Sequence, residues 1–176
     1  MLEVESAQRS FPRGETFPND TWLPLEDVII TSQLTRRTPR DRDLVAEHLA
    51  VTELMEEMAS VAGGTASQRV LRRLVDTACA LCQGDAAGIS MLEVDDDHDV
   101  FRWHAIAGRW AHFTGGTIDY QRSVCGIVVQ RNAPVLVTQP HRHFGQPPGH
   151  DPIVEMLAIP FSQSACAIVS KRQRFA

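Results

Sequence analysis

Between Leu71 and Phe161 the hydrophobic period of the chain changes several times, and the order of those changes leaves few folds open. A broad apolar helical face, Val70, Leu71, Leu74, Val75, Ala78, Leu81 and Cys82, ends at Gly84. A run rich in β-branched and apolar residues follows, Ala86 to Val94, and the acidic cluster Asp95-Asp96-Asp97-His98-Asp99 then turns the chain back. Val100 to Ala107 reads as the hairpin partner, with Phe101, Trp103, Ala105 and Ala107 on one face and Arg102 and His104 on the other. Gly108, Gly115 and Gly116 bracket a loop, Ser123-Val124-Cys125-Gly126 opens a short helix, and Asn132-Ala133-Pro134 closes it. Pro134 to Thr138 reads as a short buried strand, and Ile153 to Phe161 as a helical turn that becomes a strand from Met156. Helix, hairpin, helix and strands in this order predict an α/β (α+β) domain, a sheet with helices on its faces.

The segments before this block divide differently. Residues 1–42 carry Pro12, Gly14, Pro18, Pro24 and Pro39 without a sustained period and read as an irregular or mobile leader. It is interrupted by an apolar island, Leu23, Leu25, Val28, Ile29 and Ile30, suited to docking on the body or on a partner chain. Residues 43–63 read as one helix with the stripe Leu44, His48, Val51, Met55, Met58 and Ala62, ended by Gly63-Gly64. A stripe so narrow fits either packing on its own domain or a seam with a second copy in a homodimer. Residues 64–176 form the α+β domain, with Ser67 expected as the N-cap of its first helix.

Composition excludes several classes of function. With 43% apolar and 22% charged residues and a formal net charge of −5, nothing draws the chain to nucleic acid or to an acidic membrane surface. No apolar run is long enough to span a bilayer and the start has no secretion-signal pattern, so the expected location is cytoplasmic. Cys79 and Cys82 form a C-x-x-C inside a helical pattern with no second pair to complete a zinc set, and they read as packing. The acidic hairpin turn lacks the glycine and glutamate of a calcium loop.

Chemistry concentrates around the short helix. Ser123 is placed to cap it, and Cys125 falls in its first turn, where free N–H groups and the helix dipole favour a thiolate. No neighbour in sequence is an obvious base, so packing beneath a pocket competes with reactivity. Pro140 to Pro152 holds His141, His143 and His150 among glycines and prolines, in the manner of a lid. With His150 or Cys125, the pair His141 and His143 makes only part of a metal set, so no metal is assigned.

The layout resembles a GAF domain, the small-molecule sensing module of many signalling proteins. The resemblance rests on Leu74-Val75-Asp76-Thr77-Ala78, Asp85-Ala86-Ala87-Gly88-Ile89-Ser90, Phe101-Arg102-Trp103-His104-Ala105-Ile106-Ala107-Gly108 and Ser123-Val124-Cys125-Gly126. Arg131-Asn132-Ala133-Pro134-Val135-Leu136 and Leu157-Ala158-Ile159-Pro160-Phe161 complete it, over about residues 44–161. It is most similar to GAF domains of bacterial two-component sensor proteins, and Pro24 to Thr31 is similar to their approach segment.

That resemblance implies an antiparallel sheet with the N-terminal helices behind it and a ligand pocket in front. It implies ligand contacts from Trp103, His104, Trp110, Ser123, Cys125, Gly126, His141 and His143, and a histidine kinase or other signalling output chain as partner. The small molecule and any cofactor stay unidentified, because the bilin-carrying and cyclic-nucleotide patterns are missing. Val124-Cys125-Gly126 is also similar to the segment of GAF-type free methionine sulfoxide reductases, which makes Cys125 the catalytic candidate of an alternative reading. Those enzymes carry further cysteines in the lid, where this chain has histidines and prolines. A non-catalytic dimerisation scaffold is the third reading. Ser162 to Ala176 has no glycine and room for at most one more strand, so the domain is expected to be shortened at its C-terminus, with an exposed sheet edge and no output domain of its own.

Overall fold

The structure, a computed structural model, describes residues 23–30, 44–60, 64–145 and 151–172. Three helices come first, α1 (Leu25–Val28), α2 (Leu44–Ser60) and α3 (Gly64–Leu81). The hairpin β1 (Ala86–Asp95) and β2 (His98–Gly108) follows, then a 3-10 turn at Ala111–Phe113 and β3 (Thr117–Asp119). After α4 (Val124–Arg131) come β4 (Val135–Thr138), α5 (His141–Phe144), β5 (Ile153–Ser162) and β6 (Ala165–Arg172). Six strands make one antiparallel sheet in the order β3-β2-β1-β6-β5-β4.

Turn chemistry sets the two long hairpins. Asp96 and Asp97, at φ 48° and 63°, supply the left-handed pair that a tight β1–β2 connection needs, which aspartate tolerates better than most residues. Between β5 and β6 no glycine is needed: Ser162 Oγ accepts the Ser164 N–H at 3.1 Å and closes the turn. The strand so returned takes an interior place, paired with β1 on one side and β5 on the other. Its apolar run, Ala165 to Val169, suits a strand covered on both faces. The edges of the sheet are β3 and β4, so the exposed edge anticipated at the last strand is not where the sheet ends.

The β1–β2 register corrects a second expectation. Ile89 pairs with Ala105 but Ser90 pairs with Trp103, which leaves His104 as the extra residue of a bulge. The one-residue slip turns Phe101 and Trp103 to one face and Ala105 and Ala107 to the other. Strict alternation had put all four together.

Each face of the sheet has its own cover. Behind it, Leu71, Leu74, Val75 and Ala78 of α3 pack on Ala87, Ile89, Ala105 and Ala107. In front, Val124, Cys125 and Val128 of α4 pack on Phe101, Cys166, Ile168 and Ala158. The island before α2 joins this front core: Val28 is wholly buried, Ile29 bridges Val137, and the Ile30 N–H donates to Leu136 O at 2.9 Å. Docking on the body is therefore the outcome for this island, and it shields the free side of edge strand β4.

Local details also differ from expectation. Residues 153–155 are strand throughout, because Ile153 and Glu155 pair with Arg172 and Lys171 of β6. Helix α3 begins at Gly64, so Ser67 lies inside its first turn and is not the cap. Cys79 packs behind the sheet and donates to Gly84 O at 3.3 Å, whereas Cys82 is exposed and takes no part in packing. Helix α2 rests on α3 through buried Leu54 and a 3.7 Å ion pair between Glu53 and Arg73. Its stripe of Leu44, Val51, Met55 and Met58 stays exposed, together with His48. Ala62, Gly63, His150, the leader outside 23–30 and residues 173–176 lie outside the described residues.

Candidate functional site

The start of α4 is the most tightly specified point of the front face. Ser123 is extended, at φ −121° and ψ 148°, and its Oγ accepts the Gly126 N–H at 3.0 Å while donating to Tyr120 O at 3.1 Å. The chain from Tyr120 to Ser123 folds back so closely that a Cβ on Gly126 would meet Tyr120 O at 2.1 Å. Glycine is required there by this close approach. Tyr120 in turn stacks on Phe101, with ring centroids 5.7 Å apart, and so ties the loop to β2.

Cys125 points from this first turn onto the sheet. Its Sγ lies 3.1 Å from Ser90 Oγ of β1, and Ser90 stands opposite Cys166 of β6 in the strand register. The three residues are 0% (Ser90), 1% (Cys125) and 0% (Cys166) exposed. Hydrogen bonding with Cys125, and burial after it, push the Cys166 thiol far above its ordinary range, so it stays protonated. Two thiols and a hydroxyl thus share the centre of an otherwise apolar core.

Trp103 lies beside this group on the front face, its ring so close over Gly88 that a Cβ there would meet Cζ3 at 2.7 Å. Its indole Nε1 is buried and has no hydrogen-bond partner among the described residues. Trp103 also joins a neighbouring cluster with Ala86, Ile106 and Trp110. Trp110 stacks on Phe113 at 5.4 Å, and the Arg109 guanidinium lies 5.6 Å from its ring centre. Ser123, Cys125, Gly126 and Trp103 are therefore brought together, with Trp110 one step away.

The histidines are placed otherwise. His104, the bulge residue, is held by Glu93: Nε2 is 2.8 Å from Glu93 Oε1, while Gln68 of α3 donates to its carbonyl at 2.7 Å. Glu93 also accepts from Arg102 Nε at 2.6 Å, and Arg102 Nη2 reaches Asp95 at 3.2 Å. The Arg102 hydrogen bond is the main reason that the Glu93 carboxyl sits below its ordinary value, with burial opposing and His104 assisting. His141 donates from Nδ1 to Ile153 O at 3.2 Å, and His143 from Nδ1 to Leu23 O at 2.9 Å. These rings fasten α5 to β5 and to the N-terminal island, while Phe144 packs on the front core.

Comparison with known proteins decides the family. Residues 67–170 match the family model of the GAF domain. The chain belongs to the GAF family. No curated protein matches it in sequence. Among solved structures it is similar to the GAF domain of a phosphoenolpyruvate-protein phosphotransferase from Coxiella burnetii, at 16% identity and a TM-score of 0.60, covering 76% of this chain and 83% of that one. The GAF domain of the Acinetobacter phosphoenolpyruvate-protein phosphotransferase gives 17% identity and a TM-score of 0.59, covering 74% of this chain and 81% of that one. A Staphylococcus aureus NreA protein mutated in its nitrate binding site gives 14% identity and a TM-score of 0.50, over 63% of this chain and 89% of that one. At these identities the likeness establishes the fold.

GAF domains are ligand-binding and signalling modules, and the α+β sheet expected of one is present here. No helix among the described residues is long and apolar enough to cross a membrane. Two members of the central group, Ser90 and Cys166, were not among the sequence candidates. Ser90 carried a weak signal, a polar residue at a core position of Ala86 to Val94. Cys166 carried none, since a buried cysteine reads as a small apolar residue. On the other side of the sheet, a shallow cleft of about 360 Å³ lies where α3 ends against β2, lined by Asp76, Cys79, Gln83, Gly84 and Gly108.

Proposed function

We propose that this GAF domain binds a small molecule in front of its sheet, beside the first turn of α4, and acts as a non-catalytic sensory module in a bacterial signalling pathway. The observation that carries this reading is the buried Trp103 Nε1, without an acceptor among the described residues. A buried donor left unpaired costs about 1–3 kcal/mol, and a bound group with an acceptor atom offsets that cost. The adjoining aromatic rings of Tyr120 and Trp110 suit a flat or apolar ligand body. An output chain, such as a histidine kinase of a two-component system in the cytoplasm, would read the ligated state.

Native mass spectrometry of freshly purified protein, with thermal shifts against nitrate, cyclic nucleotides, haem and amino-acid metabolites, tests this reading. Retained mass or a dose-dependent rise in melting temperature is expected, since a ligand specific for the native state stabilises it. A flat response across the panel together with a ligand-free native mass overturns it. The lid of the free methionine sulfoxide reductases carries further cysteines where Pro140 to Pro152 of this chain has histidines and prolines, so no turnover of free methionine sulfoxide is expected.

The exposed stripe on α2 favours a second reading for the same chain, a homodimer. Leu44, Val51, Met55 and Met58 expose a contiguous apolar face on a helix already supported by α3. We place a second copy there. Sedimentation should give a dimer that Val51→Glu converts to monomer; a monomer at every concentration removes this reading.

A further inference from the structure

We infer that Cys125 and Cys166 are a buried redox pair, which closes to a disulfide joining α4 to β6 when the protein meets a hydroperoxide. The placement comes from three elements. Ser90 of β1 and Cys166 of β6 are register partners, so their side chains lie side by side on the front of the sheet. Cys125 comes down on them from α4, with its sulfur 3.1 Å from the Ser90 hydroxyl. All three are at most 1% exposed, and both cysteines belong to one packed cluster. The position is also rigid, because the Ser123 cap and the Gly126 close approach fix the first turn, and β6 is an interior strand.

The chemistry assigns a role to each sulfur. Cys125 lies in the first turn of α4 with its sulfur beside the Ser90 hydroxyl, and it is the attacking sulfur. Cys166, opposite Ser90 on interior strand β6, is the resolving sulfur. In the first step the Cys125 sulfur attacks one peroxide oxygen, the O–O bond breaks, and Cys125 becomes a sulfenic acid as alcohol or water leaves. In the second, the Cys166 sulfur displaces that hydroxyl, its own proton leaves with it as water, and the S–S bond forms. The two thiols lose two electrons and the peroxide gains them. A dithiol reductant reverses the change by exchange. None of this depends on the ligand proposed above.

The competing pair is Cys79 and Cys82 at the end of α3, where one thiol is half-buried and the other exposed. The double variant Cys79→Ser with Cys82→Ser removes it. Folded variant treated with hydrogen peroxide should lose about 2 Da, as a disulfide requires. After unfolding, neither remaining thiol should titrate, proteolysis without reductant should release a peptide pair holding Cys125 and Cys166, and dithiothreitol should restore both thiols. Adding Cys166→Ala should abolish the mass loss and leave Cys125 as a thiol or an oxygen adduct. Two thiols that still titrate after peroxide, or a bond formed only between molecules, overturn the inference. Should the double variant not fold, the same peptide mapping on the unmodified protein decides: a Cys79–Cys82 link alone counts against the pair.

Discussion

The two faces of the sheet solve the same packing problem with different atoms. Behind it, Leu71, Leu74, Val75 and Ala78 meet Ala87, Ile89, Ala105 and Ala107, so hydrocarbon meets hydrocarbon and short strand residues let the helix approach. In front, equally deep positions hold Ser90, Cys125 and Cys166, and the indole of Trp103 keeps a buried N–H without an acceptor among the described residues. Buried polar atoms destabilise a core unless they find partners, and a face built for stability alone would use valine and alanine at these places. The rear layer is packed apolar side chains, while the front carries one penalty, the buried indole N–H of Trp103, which an acceptor atom would offset.

Substitutions can break or sharpen that contrast. The largest expected effect is Gly126→Ala: its Cβ would sit 2.1 Å from the backbone oxygen of Tyr120, so the α4 entry must move, at a loss of about 3 kcal/mol in urea unfolding. A loss below about 1 kcal/mol would show that this entry is not fixed and would weaken the redox placement with it. Next comes Val75→Ala behind the sheet, with about 2 kcal/mol lost and no change in ligand affinity or in the oxidation of Cys125. If ligand affinity fell in step with stability, the faces would not be separable.

Trp103→Phe should do the reverse. It removes the orphan donor and keeps an aromatic ring, so ligand affinity is expected to fall about tenfold, or about 1.4 kcal/mol, by calorimetry. The stability change should be smaller than for Val75→Ala. The smallest effect belongs to Glu93→Gln, which probes the charged cluster at the hairpin. Glu93 titrates below its ordinary value of 4.5 in the folded chain, so its contribution is present above that value and is lost as pH falls through the lowered one. The side chain is 35% exposed, which screens the contribution to under about 1 kcal/mol. The variant should be less stable than the parent at neutral pH and equal to it in strong acid; a gap that persists in acid would mean that Glu93 acts through packing.

Much of this could be read from the chain because it depends on neighbours in sequence. The Ser123 cap and the glycine three residues later form within one helical turn, and the acidic hairpin tip needs only residues that tolerate a left-handed backbone. The α3 stripe is a local period too. What failed depended on distant partners. The helical turn at residues 153–155 gave way to pairing with β6, and the α2 stripe reads the same whether a partner covers it or not. The anchoring of His141 and His143 to backbone carbonyls of β5 and of the N-terminal island was likewise not legible, because those carbonyls lie far off in the chain.

By itself the sequence determined helices α2, α3 and α4 and the β1–β2 hairpin, where α4 starts, and that Cys125 falls in its first turn, because short-range hydrogen bonds and side-chain periods settle those matters. Only the tertiary structure decided that β6 enters between β1 and β5, that one extra residue at His104 sends Trp103 and Ala105 to opposite faces, and that Ser90, Cys125 and Cys166 meet. Those outcomes rest on strand register and on contacts between residues far apart in the chain. A single bulge reverses every side chain beyond it, and no local pattern announces one.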